Sequence, residues 1–100
     1  MSQVESVPAD EWSSWVSQND ATVLDVREAD EWELGTLPGS KLLAMSEIVG
    51  KVGELDQQKA TLVVCRSGNR SGQVAAYLAA NGFERVANMT GGLKALGMQD

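Results

Sequence analysis

The stretch Cys65-Arg66-Ser67-Gly68-Asn69-Arg70-Ser71 gathers the residues of this chain best suited to chemistry. It holds the only cysteine, flanked by two arginines with a glycine between them, in a chain without histidine. The thiolate is the reactive form of cysteine, and an ordinary thiol pKa of ~8.5 leaves only a few per cent ionised at pH 7. The stretch follows the apolar run Leu62-Val63-Val64 and leads into a strong helical pattern, so it reads as a strand-to-helix loop. A loop of that kind turns several backbone N–H groups inward, and the helix end adds partial positive charge. Gly68 permits the left-handed turn such a loop requires. Arg66 and Arg70 add two full positive charges. About 2.7 kcal/mol of anion stabilisation lowers a thiol pKa by about two units and makes thiolate the majority form. Cys65 is therefore expected to act as a nucleophile without a histidine. Alone, a cysteine ending an apolar strand is ordinarily a small buried hydrophobe. A purely structural turn has little use for two arginines beside one thiol, which tips the reading towards function.

The elements that must place this loop follow from periodicity. Thr22 to Val26 and Thr61 to Cys65, short apolar runs rich in β-branched residues, and the short apolar run Lys41 to Met45 predict strands; Val4 to Val7 and Arg85 to Asn88 are weaker candidates. Helical patterns lie between them. Pro8-Ala9-Asp10-Glu11 places proline and acids in a first turn ahead of Trp12, Trp15 and Val16 on one face. Glu28 to Leu34 predicts a short acidic helix ended by Gly35, and Ser46 to Leu55 a looser one weakened by Gly50 and Gly53. Arg70 to Asn81 is the best helix, with Val74, Ala75, Leu78 and Ala79 on one face and Asn81-Gly82 as the stop. A last short helix is expected after Gly91-Gly92. Strands alternating with helices imply an α/β fold, with a mostly parallel sheet and helices on both faces. Cys65 then stands at the carboxyl edge of the sheet, where such folds bind ligands.

Composition narrows the function classes. One hundred residues suit one domain, expected over residues 1–100 and bounded by Met1 and the ending after Gly97. A net charge of −6 disfavours nucleic acid and anionic membranes as partners. One cysteine and no histidine cannot build an ordinary zinc site, so no metal is expected, and no cofactor motif is present. A single cysteine also forbids an internal disulfide, and no apolar run approaches membrane-spanning length. Met1 to Ser6 lacks the basic flank and apolar stretch of a secretory signal, which points to the cytoplasm.

The loop and its surroundings resemble the rhodanese family. Leu24-Asp25-Val26-Arg27-Glu28, then Glu31-Trp32, then Gly35-Thr36-Leu37-Pro38-Gly39-Ser40 looks like the family's Leu-Asp-Val-Arg-Glu segment and the turn that follows it. Cys65 to Ser71 is similar to the loop of many single-domain members, and Gly82-Phe83-Glu84-Arg85-Val86 and Met89-Thr90-Gly91-Gly92 match the family's ending. Cysteine-dependent phosphatases share the geometry but place five residues between Cys and Arg, usually with a His before the Cys. Here four residues separate Cys65 from Arg70, and Val64 precedes the cysteine. A shorter cradle fits a terminal sulfur better than a tetrahedral phosphate.

The resemblance implies a five-stranded parallel sheet in the order 3-2-4-5-1. It also implies sulfane-sulfur transfer from a donor such as thiosulfate to cyanide or a thiol, through a Cys65 persulfide. In that reading the backbone N–H groups from Arg66 to Arg70, including Ser67, Gly68 and Asn69, hold the persulfide, and Arg66 attracts the anionic donor. Arg70 either binds substrate or braces the loop; Ser67 either faces the mouth or is a small turn residue. Asn69 and Ser71 are expected to cap the helix. Thr36 replaces the family's usual His and Leu96 stands where many members have Trp, both at positions that read as structural. The acids Glu28, Asp30 and Glu31 follow Arg27 where some members carry a basic residue, which leaves the donor open.

Other features have structural readings. Asp25 and Arg27 are expected to form an ion pair or loop bonds, the three tryptophans to pack, and Gly91-Gly92 to form a turn. The acidic run from Glu28 to Glu33 reads as a solvated helix face. A non-enzymatic persulfide relay or binding module needs the same loop as a transferase and remains the alternative, ahead of a phosphatase or arsenate reductase.

Overall fold

The computed structural model describes residues 4–98; the first three residues and the last two of the expected domain lie outside them. Five strands, β1 (Val4–Pro8), β2 (Thr22–Asp25), β3 (Lys41–Leu42), β4 (Thr61–Val64) and β5 (Val86–Thr90), form one sheet. Its order is β1-β5-β4-β2-β3, the expected 3-2-4-5-1 order read from the other edge, and every pairing is parallel. The helices are α1 (Trp12–Asn19), α2 (Ala29–Trp32), α3 (Ile48–Lys51), α4 (Asn69–Ala80) and α5 (Gly92–Ala95).

The two-residue period of a strand sorts β4 between two cores. Leu62 and Val64 pack with Val7, Val23, Ala87, Met89 and Leu93 beneath α1 and α5. Val63 and Cys65 pack with Leu24, Val26 and Val86 beneath α3 and α4, whose Ile48, Val74, Ala75 and Leu78 fill that side. All of β4 is buried, which is why it reads as an unbroken apolar run. Each such fully buried aliphatic side chain stabilises the fold by about 1.5–3 kcal/mol. Parity also puts Asn88 on the α4 side of β5, because Val86 faces that core and Ala87 and Met89 face the other. The register pairs Asn88 with Val63, two residues before Cys65.

Several elements differ from expectation at their ends, among them the acidic helix, which spans Ala29–Trp32 rather than Glu28 to Leu34. The third strand is paired as a strand only over Lys41–Leu42, although the Leu43 and Met45 amides still reach the Asp25 and Val26 carbonyls at 3.0 Å. The chain leaves the sheet there because Met45–Glu47 tightens into a 3-10 turn. The looser third helix is a single α turn between two 3-10 turns, as its two glycines foreshadow. The last strand runs two residues further, to Thr90. Asp25 and Arg27 form the expected ion pair, and Trp12 and Trp15 pack against the α1-side core.

Candidate active site

Cys65 follows directly on β4, after the last ladder bond from the Val26 amide to the Val64 carbonyl. Its side chain is fully buried against the α4-side core. Gly68, at φ +99°, turns the chain into α4 and stands as its N-cap. This left-handed step aims backbone at the sulfur: Sγ accepts from the Gly68 amide at 3.1 Å and from the Ser71 amide at 3.3 Å. The Ser71 hydroxyl also lies 3.3 Å from Sγ. Burial, the largest single influence, pushes the Cys65 thiol up. The Ser71 hydroxyl and the amides of Ser71, Gly68 and Ser67 together outweigh it and hold the thiol below its ordinary value.

A second layer of contacts fixes this loop from below. The Leu93 and Lys94 amides at the start of α5 donate to the carbonyls of Cys65 and Arg66, both at 2.9 Å. That approach requires glycine at position 92: a Cβ there would lie 2.3 Å from the Arg66 carbonyl oxygen and 2.6 Å from the Ser67 nitrogen. Gly91 caps α5 and Gly92 is its first residue, so the expected turn runs directly into the helix, and its lack of side chains lets α5 support the loop.

The two arginines have different surroundings. Arg66 is exposed, as are Ser67 and Asn69. Arg70 forms a bidentate pair with Glu31 of α2, at 2.6 and 2.8 Å. The Arg70 hydrogen bonds, aided by the Glu28 amide, hold the Glu31 carboxyl down at about 2. Glu31 also closes a capping box with Glu28 at the start of α2. Behind α2, Arg27 donates to the Glu31 and Gly35 carbonyls while paired with Asp25, so a chain of contacts runs from the sheet to Arg70.

The expected side-chain caps of α4 are absent, which corrects the reading of Asn69 and Ser71. Gly68 enters the helix with no side-chain capping bond. Ser71 occupies the third position of α4 on its buried face, where its hydroxyl meets Cys65 and, at 2.5 Å, Asn88 Oδ1. Sequence reasoning missed Asn88 altogether. A lone polar residue on the covered face of an otherwise apolar strand was the available signal. Among the described residues no group of His, Cys, Asp and Glu could hold a metal ion. The arrangement stabilises a single sulfur anion at the end of a parallel strand.

The chain matches the family model described as Rhodanese-like domain over residues 8–99. It belongs to the rhodanese-like domain family. Among its relatives in this family is thiosulfate sulfurtransferase GlpE of Pseudomonas putida (strain GB-1), 31% identical over 94 residues, covering 94% of this chain and 86% of that protein. The rhodanese-like/PpiC domain-containing protein 12, chloroplastic, of Arabidopsis thaliana is 36% identical over 88 residues. That match covers 84% of this chain but only 29% of the plant protein, so the chain spans under a third of it. The crystal structure of a rhodanese-like domain protein from Staphylococcus aureus superposes with a TM-score of 0.83 at 30% identity, covering 92% of this chain and 90% of that one. This rhodanese-like domain therefore has relatives named as sulfurtransferases, and its five-stranded parallel sheet is the family's fold.

Proposed function

We propose that this rhodanese-like domain is a sulfurtransferase that carries sulfane sulfur as a persulfide on Cys65. The observation that carries the reading is the placement of Sγ under the Gly68 and Ser71 amides at the start of α4. In the first step the Cys65 thiolate attacks the sulfane sulfur of a small anionic donor such as thiosulfate. A sulfur–sulfur bond forms to Cys65, the bond to the sulfonate sulfur breaks, and sulfite leaves with the electron pair. The negative charge then rests on the outer sulfur, where the amides of residues 66–70, including Ser67, Gly68 and Asn69, hold it together with the Ser71 amide. In the second step cyanide or a thiolate attacks that outer sulfur and Cys65 thiolate leaves, giving thiocyanate or a new persulfide.

Arg66, exposed at the mouth, attracts the anionic donor, while Arg70 braces the loop through Glu31 and lends its charge to the sulfur from behind. No described helix is long and apolar enough to cross a membrane, and a cytoplasmic thiol pool would supply the acceptor.

The test is the intact mass of the protein after incubation with thiosulfate. Gain of one sulfur atom, lost on adding cyanide and absent in Cys65→Ser, is the expected result. An unchanged mass removes thiosulfate as donor, and an unchanged mass with persulfide donors as well removes the function.

A further inference from the structure

The hydrogen bonds around Ser71 do not balance for every state of the sulfur. Ser71 is fully buried, with its hydroxyl oxygen 2.5 Å from Asn88 Oδ1 and 3.3 Å from Cys65 Sγ. The other end of the Asn88 carboxamide fixes its orientation: Nδ2 donates to the Gly68 carbonyl at 3.1 Å, so Oδ1 faces Ser71. A carboxamide oxygen carries no hydrogen, and the Ser71 hydroxyl must supply the one between them. Ser71 has no second hydrogen. While it donates to Asn88, it presents only lone pairs to the sulfur, which suits a thiol donating its S–H to Ser71. A thiolate has no hydrogen to give and needs a donor from Ser71 instead.

We propose that Asn88 is a positioning residue that competes with the Cys65 thiolate for the Ser71 hydroxyl hydrogen, favouring the thiol and the loaded persulfide over the bare thiolate. This rests on the reading of Cys65 as the sulfur carrier. As Cys65 ionises, its proton passes to solvent and the Ser71 hydroxyl turns from Asn88 to Sγ. When the persulfide forms, the charge moves to the outer sulfur and Sγ becomes a weak acceptor. The hydroxyl then returns to Asn88. Beyond the transfer of that proton to water, the cycle asks only for rotation about one side-chain bond. Asn88 links it to the loop, because the Gly68 carbonyl it holds belongs to the residue whose amide donates to Sγ.

The charged groups around the sulfur are few. Arg70 on α4 interacts electrostatically with Cys65 and is paired with Glu31 of α2, whose neighbour Glu28 also acts on Arg70. Arg66 lies in the loop, Lys94 on α5 beneath it, and the buried Asp25–Arg27 pair at the end of β2. None of their side chains hydrogen-bonds Ser71 or Asn88 among the described residues, and all stay constant across the variants below.

Ultraviolet thiolate absorbance against pH, taken as the difference from Cys65→Ser so that the Tyr77 phenolate cancels, reports Cys65, the one cysteine of the chain. Ser71→Ala removes a donor to the anion and raises the Cys65 pKa. Asn88→Leu frees the hydroxyl and lowers that pKa by about half a unit, roughly a threefold gain in thiolate. In a Ser71→Ala background, Asn88→Leu leaves the pKa where Ser71→Ala put it. A rise with Asn88→Leu, or the same shift in both backgrounds, overturns the proposal, because Asn88 would then act through the loop rather than through the hydroxyl. If Asn88→Leu fails to fold, the isosteric Asn88→Asp keeps the test open. It should raise the pKa more with Ser71 present than in the Ser71→Ala background, and equal rises overturn the proposal. No sulfur donor enters this titration, so its outcome is separate from the mass test of sulfur loading.

Discussion

Two arginine–carboxylate pairs stand one behind the other on the approach to Cys65, alike in chemistry and opposite in setting. Arg27 and Asp25 lie two residues apart with both side chains fully buried, and Arg27 also holds two backbone carbonyls of the α2 region. Arg70 and Glu31 come from segments 39 residues apart, and their side chains remain 33% and 22% exposed. A buried pair leaves an uncompensated charge if one partner is removed, so it acts as scaffold. A partly exposed pair is screened by water, so opening it costs little. The fold thus sets a pair sealed from water behind one that remains partly open to it.

The largest expected effect comes from breaking the buried pair. Arg27→Met leaves Asp25 charged and unpartnered, and should destabilise the domain by about 3–5 kcal/mol, read as the midpoint shift in urea unfolding. A loss below about 1 kcal/mol would place the two pairs in the same class. Arg70→Ala should cost no more than about 1 kcal/mol of stability, yet raise the Cys65 pKa and slow alkylation near neutral pH about threefold. Glu31→Gln removes the counter-charge from Arg70 and should move the Cys65 pKa the opposite way, by less. Unaltered alkylation in both variants would deny Arg70 its electrostatic role.

The smallest effect is in acid. Glu31 is held at about 2, below the ordinary carboxylate value of 4.5. Its contribution is therefore fully present above pH 4.5 and disappears as pH falls from there through 2. Solvent screening limits it to about 1 kcal/mol, less than the size of the shift alone implies. The stability difference between the wild type and Glu31→Gln should accordingly shrink across that window; a constant difference would show that Glu31 stays protonated or unpaired throughout.

The sheet was legible because its strands carry their burial in sequence: Leu62-Val63-Val64 states a strand covered on both faces. The cysteine loop was legible because its neighbours are local, with Gly68 three residues from Cys65. What stayed hidden depends on contacts between distant segments. Nothing near Arg70 in the sequence announces Glu31, because the pair joins segments 39 residues apart. Ser71 looked like a helix cap because caps and first-turn positions draw on the same small polar residues. Only the parity of β5, fixed by pairing with β4, brings Asn88 to its hydroxyl.

The last helix deepens the same lesson from the other side. The contact at Gly92 is so close that even a methyl group has no room beside the Arg66 carbonyl. A segment offering no reactive side chain therefore sets the shape of the sulfur cradle, as a wedge driven in from the far end of the chain. The loop keeps this shape only with the final turn in place, so the surroundings of the Cys65 thiol depend on residues that follow it by nearly thirty positions.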